Sequence, residues 1–156
     1  METFIVRGEP APWTAQMRAA KRSDAFVRMQ VYQACIQAQV KQQWGSRDRI
    51  TGPVYLEMEF YRGMPSPVRL GSQTRFEWQV RHIQQKPDWL NYFKAAEDAL
   101  QGILFENDSQ VVSGKGLKWY TGDSEGYTII RIRPLTEVEQ IYKTRMGWGA
   151  TQIRAA

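Results

Sequence analysis

Apolar and polar positions divide this chain into short alternating runs and longer runs of helical period. Thr3 to Arg7 alternates enough for a short first strand, which Gly8-Glu9-Pro10-Ala11-Pro12 breaks. Residues 25 to 44 carry apolar residues at helical spacing on two sides. Val27, Val31, Ala34, Cys35 and Ala38 form one stripe, and Phe26, Met29, Ile36, Val40 and Trp44 form the other. Ser23 or Asp24 suits the N-cap of this helix and Gly45 its end, and the two stripes predict burial on two sides. Gly52-Pro53 opens a strand, Val54 to Arg62, in which Val54, Leu56, Met58 and Phe60 alternate with Tyr55, Glu57 and Glu59.

Residues 63 to 86 form a long polar stretch, and a loop of that length in a compact domain is functional or mobile. A second helix is predicted from Asp88 to Leu104, fraying at Gly102. Residues 110 to 120 and 127 to 134 read as two strands joined by a hairpin loop, Thr121 to Gly126. Thr136-Glu137-Val138-Glu139 is a capping box that opens a third helix, ending near Gly147 before a tail. The order β-α-β-α-β-β-α predicts an α+β fold, a mixed β-sheet with helices packed on it.

Composition narrows the classes. At 156 residues the chain is expected to hold one core. Cys35 is the one cysteine, so neither a disulfide framework nor a zinc cluster is available. The start is too polar for a secretory signal and no apolar run reaches membrane-spanning length, which predicts a cytoplasmic protein. The formal charge of +5 suits a polyanionic partner, most simply nucleic acid.

The candidate chemistry lies on the second helix. At ~100° per residue, Trp89, Phe93, Ala96, Leu100 and Ile103 share one arc and are expected to face the sheet. Asn91, Lys94, Glu97, Asp98 and Gln101 share the opposite arc, and apolar Leu90 stands among them. Asp88 follows Pro87 at the mouth of the helix, and Asp108 returns a carboxylate before the next strand. Taken singly, these residues have structural uses. Asp88 suits an N-cap, Asp108 a turn, and Lys94 with Asp98 an exposed ion pair. Together they have the composition of a Mg²⁺ site, which takes one or two carboxylates with waters and substrate phosphate.

The run Lys86-Pro87-Asp88-Trp89-Leu90-Asn91-Tyr92-Phe93-Lys94-Ala95-Ala96-Glu97-Asp98-Ala99-Leu100-Gln101-Gly102, followed by Asn107-Asp108-Ser109-Gln110-Val111, resembles the signature of the RusA family of Holliday junction resolvases. That signature is roughly P-D-x-D-N-x-x-K-A-x-x-D-A-L-x-G, then D-D-x-Q-V. The match is strong from Lys86 to Val112 and extends by element order over residues 1 to 135. The resemblance therefore implies a resolvase domain over 1–135, with 136–156 an added C-terminal helix and tail. It implies a homodimeric, Mg²⁺-dependent endonuclease, with Mn²⁺ able to stand in, that resolves four-way DNA junctions by paired nicks. Such proteins serve recombination and repair, are often phage- or prophage-encoded, and act on the nucleoid DNA of a bacterial host without a further small-molecule cofactor.

By matching position, the resemblance assigns catalytic roles to Asp88, Asn91, Lys94, Asp98 and Asp108. Asp88 and Asp108 would be the metal carboxylates. Two positions depart from the signature: Asn107 replaces the first Asp of D-D-x-Q, and Leu90 replaces a family metal ligand. Three arrangements follow. Glu97, two turns on along Leu90's arc and ~10 Å away by helix rise, compensates together with Asp98, with Glu106 a weaker substitute. Alternatively, two carboxylates suffice with extra water. In the third, the protein binds junctions with weak or no cleavage. Arg18, Lys21, Arg22, Arg69, Arg75, Arg81, Lys86, Lys115 and Lys118 are candidate DNA contacts. His82 is a candidate general base, and Trp13, Trp78 and Trp119 are candidates for stacking on unpaired bases.

Overall fold

The computed structural model describes residues 1–13, 23–63, 83–84, 86–121 and 125–136. Strand β1 (Glu2–Arg7) leads to helix α1 (Asp24–Trp44), strand β2 (Val54–Arg62), helix α2 (Trp89–Leu100), strand β3 (Val111–Tyr120) and strand β4 (Tyr127–Pro134). A single 3₁₀ turn, Asp108–Gln110, precedes β3. The four strands form one mixed sheet in the order β1-β4-β2-β3. The arrangement is α+β, as the pattern predicts.

Strand alternation places the core. Val54, Leu56, Met58 and Phe60 of β2, Phe4 and Val6 of β1, and Thr128, Ile130 and Ile132 of β4 all point to the helix side and are buried. The polar member of this set, Thr128, shares a 2.7 Å hydrogen bond with the Tyr32 hydroxyl from α1. Burial raises the Tyr32 pKa, and the contact with Thr128 opposes that rise only in part.

The expected hairpin between residues 110–120 and 127–134 does not form. β2 lies between those strands, parallel to β3 and antiparallel to β4, and Tyr61 faces Trp119 on one side and Tyr127 on the other. The reason is connectivity. β3 follows a crossover helix, so it joins β2 in parallel and the next strand takes β2's free side. Turn-forming residues at 121–126 signal a reversal of direction but not the number of strands passed. Gly126 sits tight against the end of β2, where an added Cβ would lie 2.7 Å from the Tyr61 carbonyl.

In α1, Ser23 accepts from the Phe26 N–H as N-cap, and Gly45, with φ of 67°, closes the helix onto the Lys41 carbonyl. Met29, Tyr32, Ile36, Val40 and Trp44 face the core. Val27 and Val31 of the other predicted stripe are exposed and Cys35 is half-buried, so one stripe packs and the other does not. On its far edge, α1 reaches β1 through polar side chains. Gln39 bonds both the N–H and the carbonyl of Arg7 at 2.9 Å, and Gln43 donates to the Ile5 carbonyl.

Helix α2 ends at Leu100, four residues earlier than predicted. Gly102 adopts a φ of 78° and its N–H bonds the Phe105 carbonyl, a turn that sends Leu104 and Phe105 into the core. The buried face of α2 is Tyr92, Ala95, Ala96, Ala99 and Leu100. Trp89 and Phe93 face the sheet as expected, at its edge, where they lie over strand β3. There Gly116 leaves room for the Trp89 ring and Gly114 for Phe93, and the two rings meet edge-on at 5.8 Å. Gln33 of α1 ties the helices together by donating to the Ala95 carbonyl.

Candidate metal centre on the second helix

The buried alanine face of α2 turns its polar face outward, and two elements meet there. The helix supplies Lys94, Glu97 and Asp98 at spacings of three and four residues, which share one side. The 3₁₀ turn supplies Asp108. That turn is held tightly. Asn107 caps it by accepting from the Ser109 N–H at 2.9 Å. The Gln110 side-chain oxygen accepts from the N–H groups of Glu106 and Asn107, while its amide donates to the carbonyls of Ile50 and Gly52. Asp and Asn serve equally as caps, so Asn107 keeps the turn that the family's Asp would make. The sequence reading gave Gln110 no role, although it stands in the quoted motif. Its side-chain amide and carbonyl serve four backbone groups and fix where Asp108 points.

Carboxylate oxygens of Glu97, Asp98 and Asp108 lie within 4.8 Å of one another. The Lys94 ammonium bonds all three, at 3.4, 2.9 and 3.0 Å respectively. The group thus carries three carboxylates against one ammonium. Its electrostatics follow from depth. Glu97 is the most enclosed, its side chain 14% exposed against 44% for Asp108. Burial holds the Glu97 carboxyl above its ordinary range, and the nearby Asp108 and Asp98 charges act in the same direction against Lys94. The contact with Lys94 lowers Asp108, and the bond to Asp98 leads the rise in Lys94.

The other predicted site residues are spread more widely. Asp88 is the N-cap residue of α2 but makes no side-chain cap bond, and it is not among the three converging carboxylates. Its charge acts on Lys118, whose pKa burial lowers and Asp88 partly restores. Lys118 donates to the Pro87 carbonyl at 2.8 Å. Asn91 is not among the groups that meet at Lys94; its backbone carbonyl accepts from the Trp13 N–H. Lys86 is exposed just before α2. Glu106 pairs with Arg49 rather than joining the cluster. Lys115 lies beside Glu57 in the β2–β3 register, on the sheet face away from the helices, and Trp119 shares that face. Trp13 packs against the core. Arg18, Lys21, Arg22, Arg69, Arg75, Arg81, His82 and Trp78 lie outside the described residues, as does residue 137 onward.

Residues 9–133 match the family described as endodeoxyribonuclease RusA. The chain belongs to the RusA family. It also resembles an uncharacterised protein, YqaN, of Bacillus subtilis (strain 168), at 34% identity over 84 residues. That likeness covers 53% of this chain and 59% of YqaN. Of the two departures from the RusA signature, Asn107 keeps a capping role and Leu90 is apolar. Leu90 is 60% exposed on the polar arc of α2, one turn before Lys94.

The donor set fits the divalent cation that a RusA-type nuclease implies. Three hard oxygen ligands converge from two rigidly held elements, and the local charge remains negative after Lys94 is counted.

Proposed function

We propose that this chain is a metal-dependent endodeoxyribonuclease acting on four-way DNA junctions. Its metal carboxylates are Glu97, Asp98 and Asp108. The observation that carries this reading is the convergence of those carboxylates within 4.8 Å on the helix that bears the RusA signature. The preferred ion in this reading is Mg²⁺, with Mn²⁺ as substitute. A bound divalent ion supplies Lewis acidity toward a phosphodiester. Glu97, enclosed and fixed on the helix, sets the inner wall of the site, and Asp108 closes it from the 3₁₀ turn. Lys94 presents positive charge to non-bridging phosphate oxygens. Asp88 stands at the mouth of α2 beside Lys118 and Lys86, where DNA phosphates would approach. Asp88→Asn tests whether it joins the reaction or only caps the helix.

The reading extends to a homodimer that makes paired nicks, to recombination or repair in a bacterial cytoplasm, and to a phage or prophage source. The resolvase domain is residues 1–135. Among the described residues no helix is long and apolar enough to cross a membrane.

A second reading rests on Leu90. An exposed leucine on the polar arc, at a position where the family signature has a metal-binding Asp, favours a protein that binds junctions and cuts them poorly. Nicking of a synthetic four-way junction with and without Mg²⁺, beside a gel shift with linear duplex as control, decides between the two. Metal-dependent symmetric nicks support the nuclease. Junction-selective binding without nicks in Mg²⁺ or Mn²⁺ supports the binding protein.

A further inference from the structure

The Lys94 ammonium sits where a cation shared by Glu97, Asp98 and Asp108 would sit, bonded to each of them. A lysine has three N–H donors, so these three contacts use its full hydrogen-bonding capacity. No donor is then left for a substrate phosphate. The same ammonium therefore cannot hold the metal-free cluster together and bind phosphate at the same time. The cluster also cannot offer its oxygens to a divalent ion while Lys94 holds them, because like charges at such distances repel.

We infer that Lys94 is a resident counterion exchanged for the metal. It occupies the carboxylate cluster in the free protein, leaves when a divalent cation enters, and only then has donors for phosphate. Ion loading and backbone binding are thereby coupled through one side chain. Two features favour exchange over permanent pairing. The Lys94 side chain is 43% exposed, so a path outward exists on a flexible stem. The carboxylates, by contrast, are fixed by α2 and by the Gln110-pinned turn, so they stay in place when the lysine leaves. This inference rests on the metal-site reading above, and its test needs no cleavage.

The test is calorimetric titration of the DNA-free protein with Mn²⁺ and with Mg²⁺, comparing wild type with Lys94→Gln. Removing the competing ammonium is expected to tighten Mn²⁺ binding on the order of tenfold, the scale of one charge-assisted contact at a half-exposed site. The Mn²⁺-induced rise in Tm is expected to be larger in Lys94→Gln than in wild type. Equal or weaker binding by Lys94→Gln overturns the exchange, and so does failure of both proteins to bind either ion. If Lys94→Gln does not fold without metal, the wild type answers the question. Its lysine side-chain ¹⁵N spectrum should hold one protected ammonium signal that is lost on adding Mg²⁺. A signal unchanged at saturating Mg²⁺ overturns the proposal.

Nicking is scored separately. Tightened binding in Lys94→Gln with no nicking by wild type keeps the exchange and removes the nuclease reading. Wild-type nicking with unchanged affinity in Lys94→Gln does the reverse.

Discussion

Two ion clusters in this protein use the same kinds of group to different ends. On the outer face of the sheet, Arg131 of β4 pairs with Glu57 and Glu59 of β2. Each of those carboxylates has a second partner, since Tyr55 donates to Glu57 and Tyr61 to Glu59. On α2, Lys94 faces three carboxylates, with no phenol among the described residues to share the load. The sheet cluster spreads two negative charges over one guanidinium and two hydroxyls, a satisfied network typical of a structural brace. Counted over the described residues, the helix cluster keeps a net charge of −2. The two clusters hold similar numbers of acidic residues, and what separates them is the negative charge that the donors of the described residues leave uncovered.

The strongest way to break this contrast is to neutralise one carboxylate in each cluster. Asp108→Asn should reduce metal-dependent nicking by roughly 100-fold, while Glu57→Gln should leave it near wild type. A loss of activity in Glu57→Gln equal to that in Asp108→Asn would abolish the distinction. Gln110→Ala removes no charge but releases the turn that aims Asp108. Mn²⁺ affinity measured by titration should fall by about tenfold with the fold intact by circular dichroism. An unchanged affinity would mean that the turn holds its shape without the glutamine.

Leu90→Asp places a fourth carboxylate one turn before Lys94. Nicking of a four-way junction should rise several-fold, roughly three to ten times, if the site lacks only charge in that direction. No gain would show that the three existing carboxylates already satisfy the ion.

The smallest effect belongs to the sheet cluster. Arg131→Met should lower Tm by about 3 °C, a gap to wild type that Mn²⁺ leaves unchanged. That loss should depend on pH. Burial alone would raise Glu59, but the Tyr61 hydroxyl and Arg131 outweigh it and hold the carboxyl below its usual range. A carboxyl lowered in the folded state contributes stability above its unfolded pKa and loses it as pH falls through the folded value. The Tm gap between wild type and Arg131→Met should therefore be full at neutral pH and close in acid. A gap independent of pH would mean that the arginine acts by packing alone.

Much of this architecture was legible in the residue pattern, for identifiable reasons. The alternation of Val54, Leu56, Met58 and Phe60 with Tyr55, Glu57 and Glu59 marks a strand, and β2 has the predicted bounds, Val54–Arg62. The α1 spacing of Met29, Ile36, Val40 and Trp44 marks the packed stripe. The rest depended on partners distant in sequence. Helical period set Trp89 and Phe93 toward the sheet but not over a particular strand, because Gly114 and Gly116, which make room for them on β3, are 21 and 27 residues further on in the chain. Turn-forming residues at 121–126 could not reveal that β2 intervenes.

The site divided in the same way. Lys94 with Asp98 was readable from i,i+4 spacing, and the RusA signature brought in Asp108. Glu97 entered only as a substitute for Leu90, although the structure makes it the most enclosed of the three carboxylates. Asp88, placed by the signature, stands apart from them.

The bonds from Gln39 and Gln43 to β1 have a consequence for how this sheet ends. A carboxamide carries the same donor and acceptor as a peptide unit, and Gln39 presents both to Arg7 as a neighbouring strand would. Helix α1 thus imitates a fifth strand with two side chains. At an edge finished in this way, both backbone groups of Arg7 and the carbonyl of Ile5 are already engaged when an incoming chain arrives. Extension of the sheet past β1 must first displace both amides, so crowding of this protein in the cell is guarded against at that border by two glutamines rather than by charge.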